Sequence, residues 1–196
     1  VNPQYFIENQ MPGTINPHDM MDPVVSSATI IQHVYDGVAL AKKHRLPKRI
    51  QDFVLEHHGT LLTRYQYAKA LEAQGNHPDS VDKELFRYPG PVPQSKETAL
   101  LMLADGCEAK ARAEHPASAS DIRALVKGIF EYLLREGQLD NTSLTFKELH
   151  LITESFVTTL QNAHHPRLKY PELEAAEQKA ETGKQPISTE TNFLTK

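Results

Sequence analysis

Apolar residues recur at spacings of three and four along most of this chain, the period of amphipathic helices, and no stretch reads as a convincing strand. Residues 1–21 hold no sustained period, are broken by Pro3, Pro12, Gly13 and Pro17, and are expected to be an extended entry segment. Asp22-Pro23 is a helix start, an N-cap acid followed by a proline whose missing N–H costs nothing at the first helical position. The helix it opens is predicted to run to about Arg45, with Val24, Ala28, Ile31, Tyr35, Val38, Leu40 and Ala41 as its apolar face. Pro47 closes it and opens a second at Lys48, ending at the Gly59 of LEHHG. Thr60 can cap a third over Leu61 to about Gln74, with Gly75-Asn76 as a left-handed stop. A long proline-bearing connection, NHPDSVDKELFRYPGPVPQ, follows; a loop of that length in a compact domain is commonly a functional flap. Further helices are predicted from about Ser95 to Glu114 and from a cap at Ser118 or Ser120 to Gly137. The latter carries Ile122, Leu125, Val126, Ile129, Phe130, Leu133 and Leu134 on one stripe. A last helix spans about Phe146 to Asn162, with Leu149, Ile152, Phe156, Val157 and Leu160. Glu172 to Lys196 is polar and expected to be a frayed helix and a disordered tail. There is no internal repeat and no glycine-rich phosphate loop, so the pattern predicts an all-α bundle of about six helices.

Composition narrows the class. With 196 residues and 39% hydrophobic residues the chain fills one ordinary domain and barely a second. No run approaches the roughly 20 apolar residues that cross a bilayer, and the first 30 residues lack the order of a signal peptide, so solubility is expected. A formal charge of −4 argues against a surface that coats nucleic-acid polymers, and the lone Cys107 argues against a disulfide framework and suits a reducing compartment. The ten histidines, with His57-His58 and His164-His165 adjacent, point to metal or proton chemistry.

Neighbouring residues on an ideal helix point about 100° apart, so His57 and His58 serve one site only near a helix end or beside paired metals. They lie at a predicted helix end, where capping is the alternative role. Asp105, in LLMLADGCEA, shares an apolar helix face with Leu101 and Met102, so it needs a metal, a basic partner or dense hydrogen bonding. His33, in SATIIQHVYDGVAL, is either a core histidine bonded to a carbonyl or a ligand. Together the four come from three helices, and facing helices of a bundle can converge such groups on an inner metal site. His164 and His165 precede Pro166 at a helix C-terminus and are read as capping groups. His44, His77, His115 and His150 carry no specific expectation.

The strings PQYFIENQ, NPHDMMDP, IIQHVYDGVALAKKHRLP, FVLEHHGT, FRYPGPVPQSKETALLMLAD and NAHHPRLKYP resemble, in order, the intracellular HD-hydrolase part of bacterial seven-transmembrane HD-domain proteins, a family of cyclic di-AMP phosphodiesterases. The resemblance covers about residues 3–171 and implies an HD-type phosphohydrolase domain over 1–171, followed by the polar tail 172–196. It implies an HD-domain helical bundle, two divalent metal ions such as manganese or iron, and hydrolysis of cyclic di-AMP to linear pApA. By that likeness His33, His57, His58 and Asp105 are metal ligands, with no catalytic side chain beyond them. In the family the eponymous His-Asp pair and a further ligand histidine lie upstream of PQYFIENQ, whereas this sequence starts at Val1-Asn2. His18-Asp19 belongs to a separate segment and is read as structural or rim. The chain is therefore expected to be part of a longer protein, a cytoplasmic domain of an inner-membrane protein that meets the membrane only through upstream segments. Alone its metal site is expected to be partly filled or empty, and it is expected to hydrolyse little or nothing. Lys96, Arg64 and Arg87 are candidates for phosphate contact, and Tyr65, Tyr67 and Tyr88 for adenine stacking, against solvated or core roles. A cyclic dinucleotide is the expected partner, with self-pairing into a homodimer left open. The rival reading is a degenerate HD-like module that binds a nucleotide or a protein without catalysis; a helical domain with no site ranks last.

Overall fold

The computed structural model describes residue 5 and residues 15–164, and every regular element among them is helical. Six α-helices follow in order: α1 (Pro23–Lys43), α2 (Lys48–Glu56), α3 (Arg64–Ala73), α4 (Lys96–Glu114), α5 (Ala119–Arg135) and α6 (Phe146–His164). Most starts are set by local chemistry. The Asp22 carboxylate accepts from the backbone N–H groups of Val24 and Val25, the Ser95 hydroxyl accepts from Thr98, and Ser118 forms a reciprocal capping box with Asp121. Gly75, Asn76 and Gly137 take the left-handed conformation that ends α3 and α5.

Three expectations shift. The α2 helix stops at Glu56 rather than Gly59, which leaves His57 and His58 in the turn beyond it. Thr60 does not cap α3: residues 61–63 first lie against the long connection, with an isolated antiparallel bridge between Leu62 and Arg87, and α3 begins only at Arg64. Paired backbone groups are lost to the helix, so its start moves down the chain. The apolar face of α1 is also rotated from the predicted stripe. Val34 and Ala41 are buried beside Ser26 and Ser27, while Tyr35 and Leu40 are exposed. The serines are buried because they have partners: Ser26 Oγ lies 2.8 Å from His18 Nδ1, and Ser27 Oγ 2.7 Å from Thr63 Oγ1. Leu134, the last residue of the predicted α5 stripe, is also exposed.

The main hydrophobic core joins α4, α5 and α6. Ala99, Met102, Leu103, Cys107 and Ala111 meet Ile122, Leu125, Val126, Phe130 and Leu133, with Val157 and Leu160 closing the layer. The first helix packs on α2 and α3, and α2 packs on α4, so the end of α2 lies between the two groups of helices. The connection after α3 folds into two short 3-10 turns, Pro78–Ser80 and Lys83–Phe86, and the second packs on α1. No described helix is long and apolar enough to cross a membrane. Val1–Ala163 clusters as one unit and His164–Lys196 as a second. The side chains of His164 and His165 and the tail from Glu172 lie outside the described residues.

Candidate metal centre

The turn at the end of α2 brings two consecutive imidazoles to one place, as only a helix end allows. The ring centroids of His57 and His58 are 4.0 Å apart. From α1, His33 comes within 5.2 Å of His57 and 5.1 Å of His58, ring centre to ring centre. One nitrogen from each of the three rings lies within 4.8 Å of the other two, the arrangement a metal ion needs from its ligands.

Their protonation can be read from the backbone. His33 Nδ1 is 2.6 Å from the Ile30 carbonyl oxygen and His57 Nδ1 is 2.8 Å from that of Val54. A carbonyl only accepts, so in both rings Nδ1 carries the proton and, in the neutral form, Nε2 presents a lone pair. Those two Nε2 atoms are 3.1 Å apart. Two lone pairs at that separation repel unless a cation or an extra proton lies with them, and backbone-fixed tautomers of this kind are how ligand histidines are oriented. Burial first, and then the neighbouring His33, hold the His57 pKa below its usual value, opposed by the Val54 bond and Asp105. Burial, with the charges of His57 and His33, pushes His58 down to about 2. Both are therefore neutral at physiological pH and available as ligands.

Asp105 is placed differently from its expected position on the apolar face. Its side chain keeps 45% of its exposure and stands at the edge of the cluster, Oδ2 3.7 Å from His58 Nδ1. The reason lies in the helix rotation: Met102, Leu103 and Cys107 take the buried face of α4 and leave Asp105 at its margin. With His58 neutral this contact is no ion pair, and it is too long for a hydrogen bond. Loss of hydration on the protein side and the nearby Glu108 raise the Asp105 pKa, against lowering by His57, His33 and Arg112. The deeply buried acid is instead Glu56, 4% exposed, whose Oε2 accepts from the Gln94 N–H at 2.9 Å and so ties the start of the α4 approach to the residue before His57.

Tyr88 covers the other side of His58. Its ring is stacked on the imidazole at 4.3 Å and 25°, and burial, then Asp105, raise its phenol pKa. With that face taken, Tyr88 is a wall of the cluster. Tyr67 meets Phe86 edge-on, whereas Tyr65 is 56% exposed beneath the Lys69 ammonium.

The three expected phosphate-binding cations are dispersed. Lys96 binds Glu148 at 2.5 Å, and it lies nine residues before Asp105 on α4, about 13 Å of helical rise. Arg64 lies over the Tyr132 ring at 5.0 Å. Arg87 alone reaches the ligand turn: Nη1 donates to the Thr60 carbonyl at 2.7 Å while Nε donates to Glu84. His18 is buried between Ser26 and the Tyr5 carbonyl, a structural role as expected.

Three imidazoles from α1 and the turn after α2, with the Asp105 carboxylate at the margin, make a candidate metal centre in an all-α domain. No protein-family model matches the chain. It is 44% identical, over 170 residues, to the cyclic-di-AMP phosphodiesterase PgpH of Bacillus subtilis (strain 168), a match that covers 87% of this chain. The chain spans about 23% of the length of that relative. Among solved structures it resembles the HD domain of the phosphodiesterase PgpH of L. monocytogenes, with a TM-score of 0.75 and 35% identity over 84% of this chain and 74% of the other. The same domain in complex with cyclic-di-AMP aligns with a TM-score of 0.76 and 35% identity over 86% and 76% of the two chains. The chain belongs to the PgpH HD-domain family.

Proposed function

We propose that this domain is the catalytic part of a metal-dependent phosphodiesterase that opens cyclic di-AMP to the linear dinucleotide pApA. The observation that carries the reading is the pair of backbone-oriented Nε2 atoms of His33 and His57, 3.1 Å apart beside a neutral His58. The likeness to a domain solved in complex with cyclic-di-AMP supports the choice of substrate. His33, His57 and His58 would hold the metal, with Asp105 adding a carboxylate from α4. Two divalent cations such as manganese or iron would supply a water of lowered pKa and counter-charge for the phosphate oxygens. That local positive charge reconciles an anionic substrate with a chain of net charge −4. In the net reaction one water adds across a P–O bond: its oxygen joins phosphorus, the ribose 3′-oxygen leaves, and a proton ends on that oxygen. The Val54 and Ile30 carbonyls hold His57 and His33 in the tautomer whose Nε2 would ligate the metal. Arg87, the cation on the ligand turn, is assigned to phosphate contact ahead of Arg64 and Lys96, whose partners lie on α5 and α6. We assign the domain to the cytoplasmic side of an inner-membrane protein, with a homodimer as its candidate assembly.

The test is cleavage of cyclic di-AMP by a chain extended upstream to the length of its relatives, followed by chromatography with and without Mn2+. Linear pApA is expected, with at least a hundredfold loss for His57→Ala and Asp105→Ala. Turnover that survives both the substitutions and chelation overturns the reading. Tight binding of the nucleotide without any cleavage supports the non-catalytic alternative instead.

A further inference from the structure

Thr60 stands two residues beyond His58, after Gly59 has turned the chain with a left-handed φ of +52°. All three of its polar groups are held by side chains from distant parts of the sequence. Its N–H donates to Gln138 Oε1 at 3.0 Å, its hydroxyl accepts from Gln138 Nε2 at 2.9 Å, and its carbonyl accepts from Arg87 Nη1 at 2.7 Å. Gln138 is 2% exposed, and its amide also donates to the Glu136 carbonyl at 2.9 Å. It follows the end of α5, where its own N–H is bonded to the Leu133 carbonyl at 3.0 Å, so it is anchored on the main core. Its amide occupies the space that Gly59 leaves: a Cβ there would meet Oε1 at 2.2 Å.

The last turn of a helix lacks the backbone bonds that hold its middle, and an unsupported end frays. Metal ligands tolerate displacement of only about 0.5 Å. A ligand pair placed just past a helix end therefore requires an external brace. One hydrogen bond fixes a point; a donor and an acceptor on the same residue also fix a direction.

We propose that Gln138 is a positioning residue of the metal centre: by clamping Thr60 it transmits the placement of α5 to His57 and His58 without touching the metal. This rests on the metal-binding reading above.

The test is Co2+ titration of the 196-residue chain, followed by visible absorption, beside thermal unfolding without metal. Gln138→Met keeps the side chain's length but has no amide; Gln138→Glu keeps an acceptor for the Thr60 N–H and loses the donor. At a temperature where all are folded, Gln138→Met is expected to bind Co2+ about tenfold more weakly with altered absorption bands, and Gln138→Glu to recover part of the loss. A lowered melting temperature with wild-type affinity and bands makes Gln138 merely structural and overturns the inference. Should Gln138→Met fail to fold, Thr60→Val decides, with a loss of a few fold expected and an unchanged titration overturning it. If the wild-type chain takes up no Co2+, the titration is made on the chain extended upstream, and no uptake there means that the metal-binding reading itself has failed and the inference goes with it.

Discussion

Backbone carbonyls at Ile30 and Val54 do at His33 and His57 what a carboxylate often does for a ligand imidazole: they accept a hydrogen bond from Nδ1–H and leave Nε2 to coordinate. The cost is two lone pairs 3.1 Å apart in the metal-free protein. A cation removes that repulsion in the folded state only, so binding stabilises the fold. At a free Mn2+ concentration a hundred times the Kd, the gain is about 2.7 kcal/mol, or a rise of roughly 5–10 °C in Tm for a chain of this length. Calorimetry should show that rise for wild type, its reversal by chelator, and its absence in His57→Ala; an equal rise in the variant would place the cation elsewhere. At this scale the sequence was partly legible. His57, His58 and His33 meet as adjacency and helical setting suggest, whereas Asp105 sits at the margin and the deeply buried acid is Glu56. Nothing local marks Gln138 either, because its partner Thr60 is 78 positions away in the chain.

Elements were legible where their signals are local. Asp22, Ser95, Ser118, Gly75 and Gly137 each act within a few residues, and the helix ends they imply are those observed. The misplaced start of α3 and the rotated face of α1 have long-range causes: the bridge to Arg87 and the burial of Ser27 against Thr63, 36 residues on. Another long-range tie joins the starts of α4 and α6. Glu148 accepts from the Lys96 ammonium and from the backbone and hydroxyl of Thr145, and these bonds, the lysine first, hold its carboxyl down at about 2. A depressed carboxylate contributes stability that is present above its unfolded value of 4.5 and lost as pH falls toward 2. Tm measured against pH should therefore show Glu148→Gln below wild type at pH 6, with the gap closing between about pH 4.5 and 2. The gap should be modest and narrow in high salt, since both partners reach solvent. A gap independent of pH would assign the effect to packing.

Across the whole molecule, α4, α5 and α6 supply the main core, with Asp105 at the margin of α4 and Met102 and Gln138 set against Gly59, while α1 and the turn after α2 supply the imidazoles. Fold class was legible from periodicity, composition and helix stop signals together, with apolar stripes on α1, α5 and α6; the relation between the two groups of helices was not, because it depends on how the helices are rotated. The buried side of α4 has one more consequence. Cys107 is 1% exposed, is the chain's single cysteine, and burial pushes its thiol up to about 12. The native state therefore offers almost no thiolate to an alkylating reagent, and labelling waits for α4 to leave its neighbours. The rate of that labelling, followed by mass, should fall about a hundredfold at a hundred times the Kd of Mn2+ and by nothing in His57→Ala. An undiminished rate in wild type would mean that α4 opens independently of the histidines. The chain thus contains its own clock for cooperative unfolding, one covalent tick per molecule, readable without any added probe on the metal.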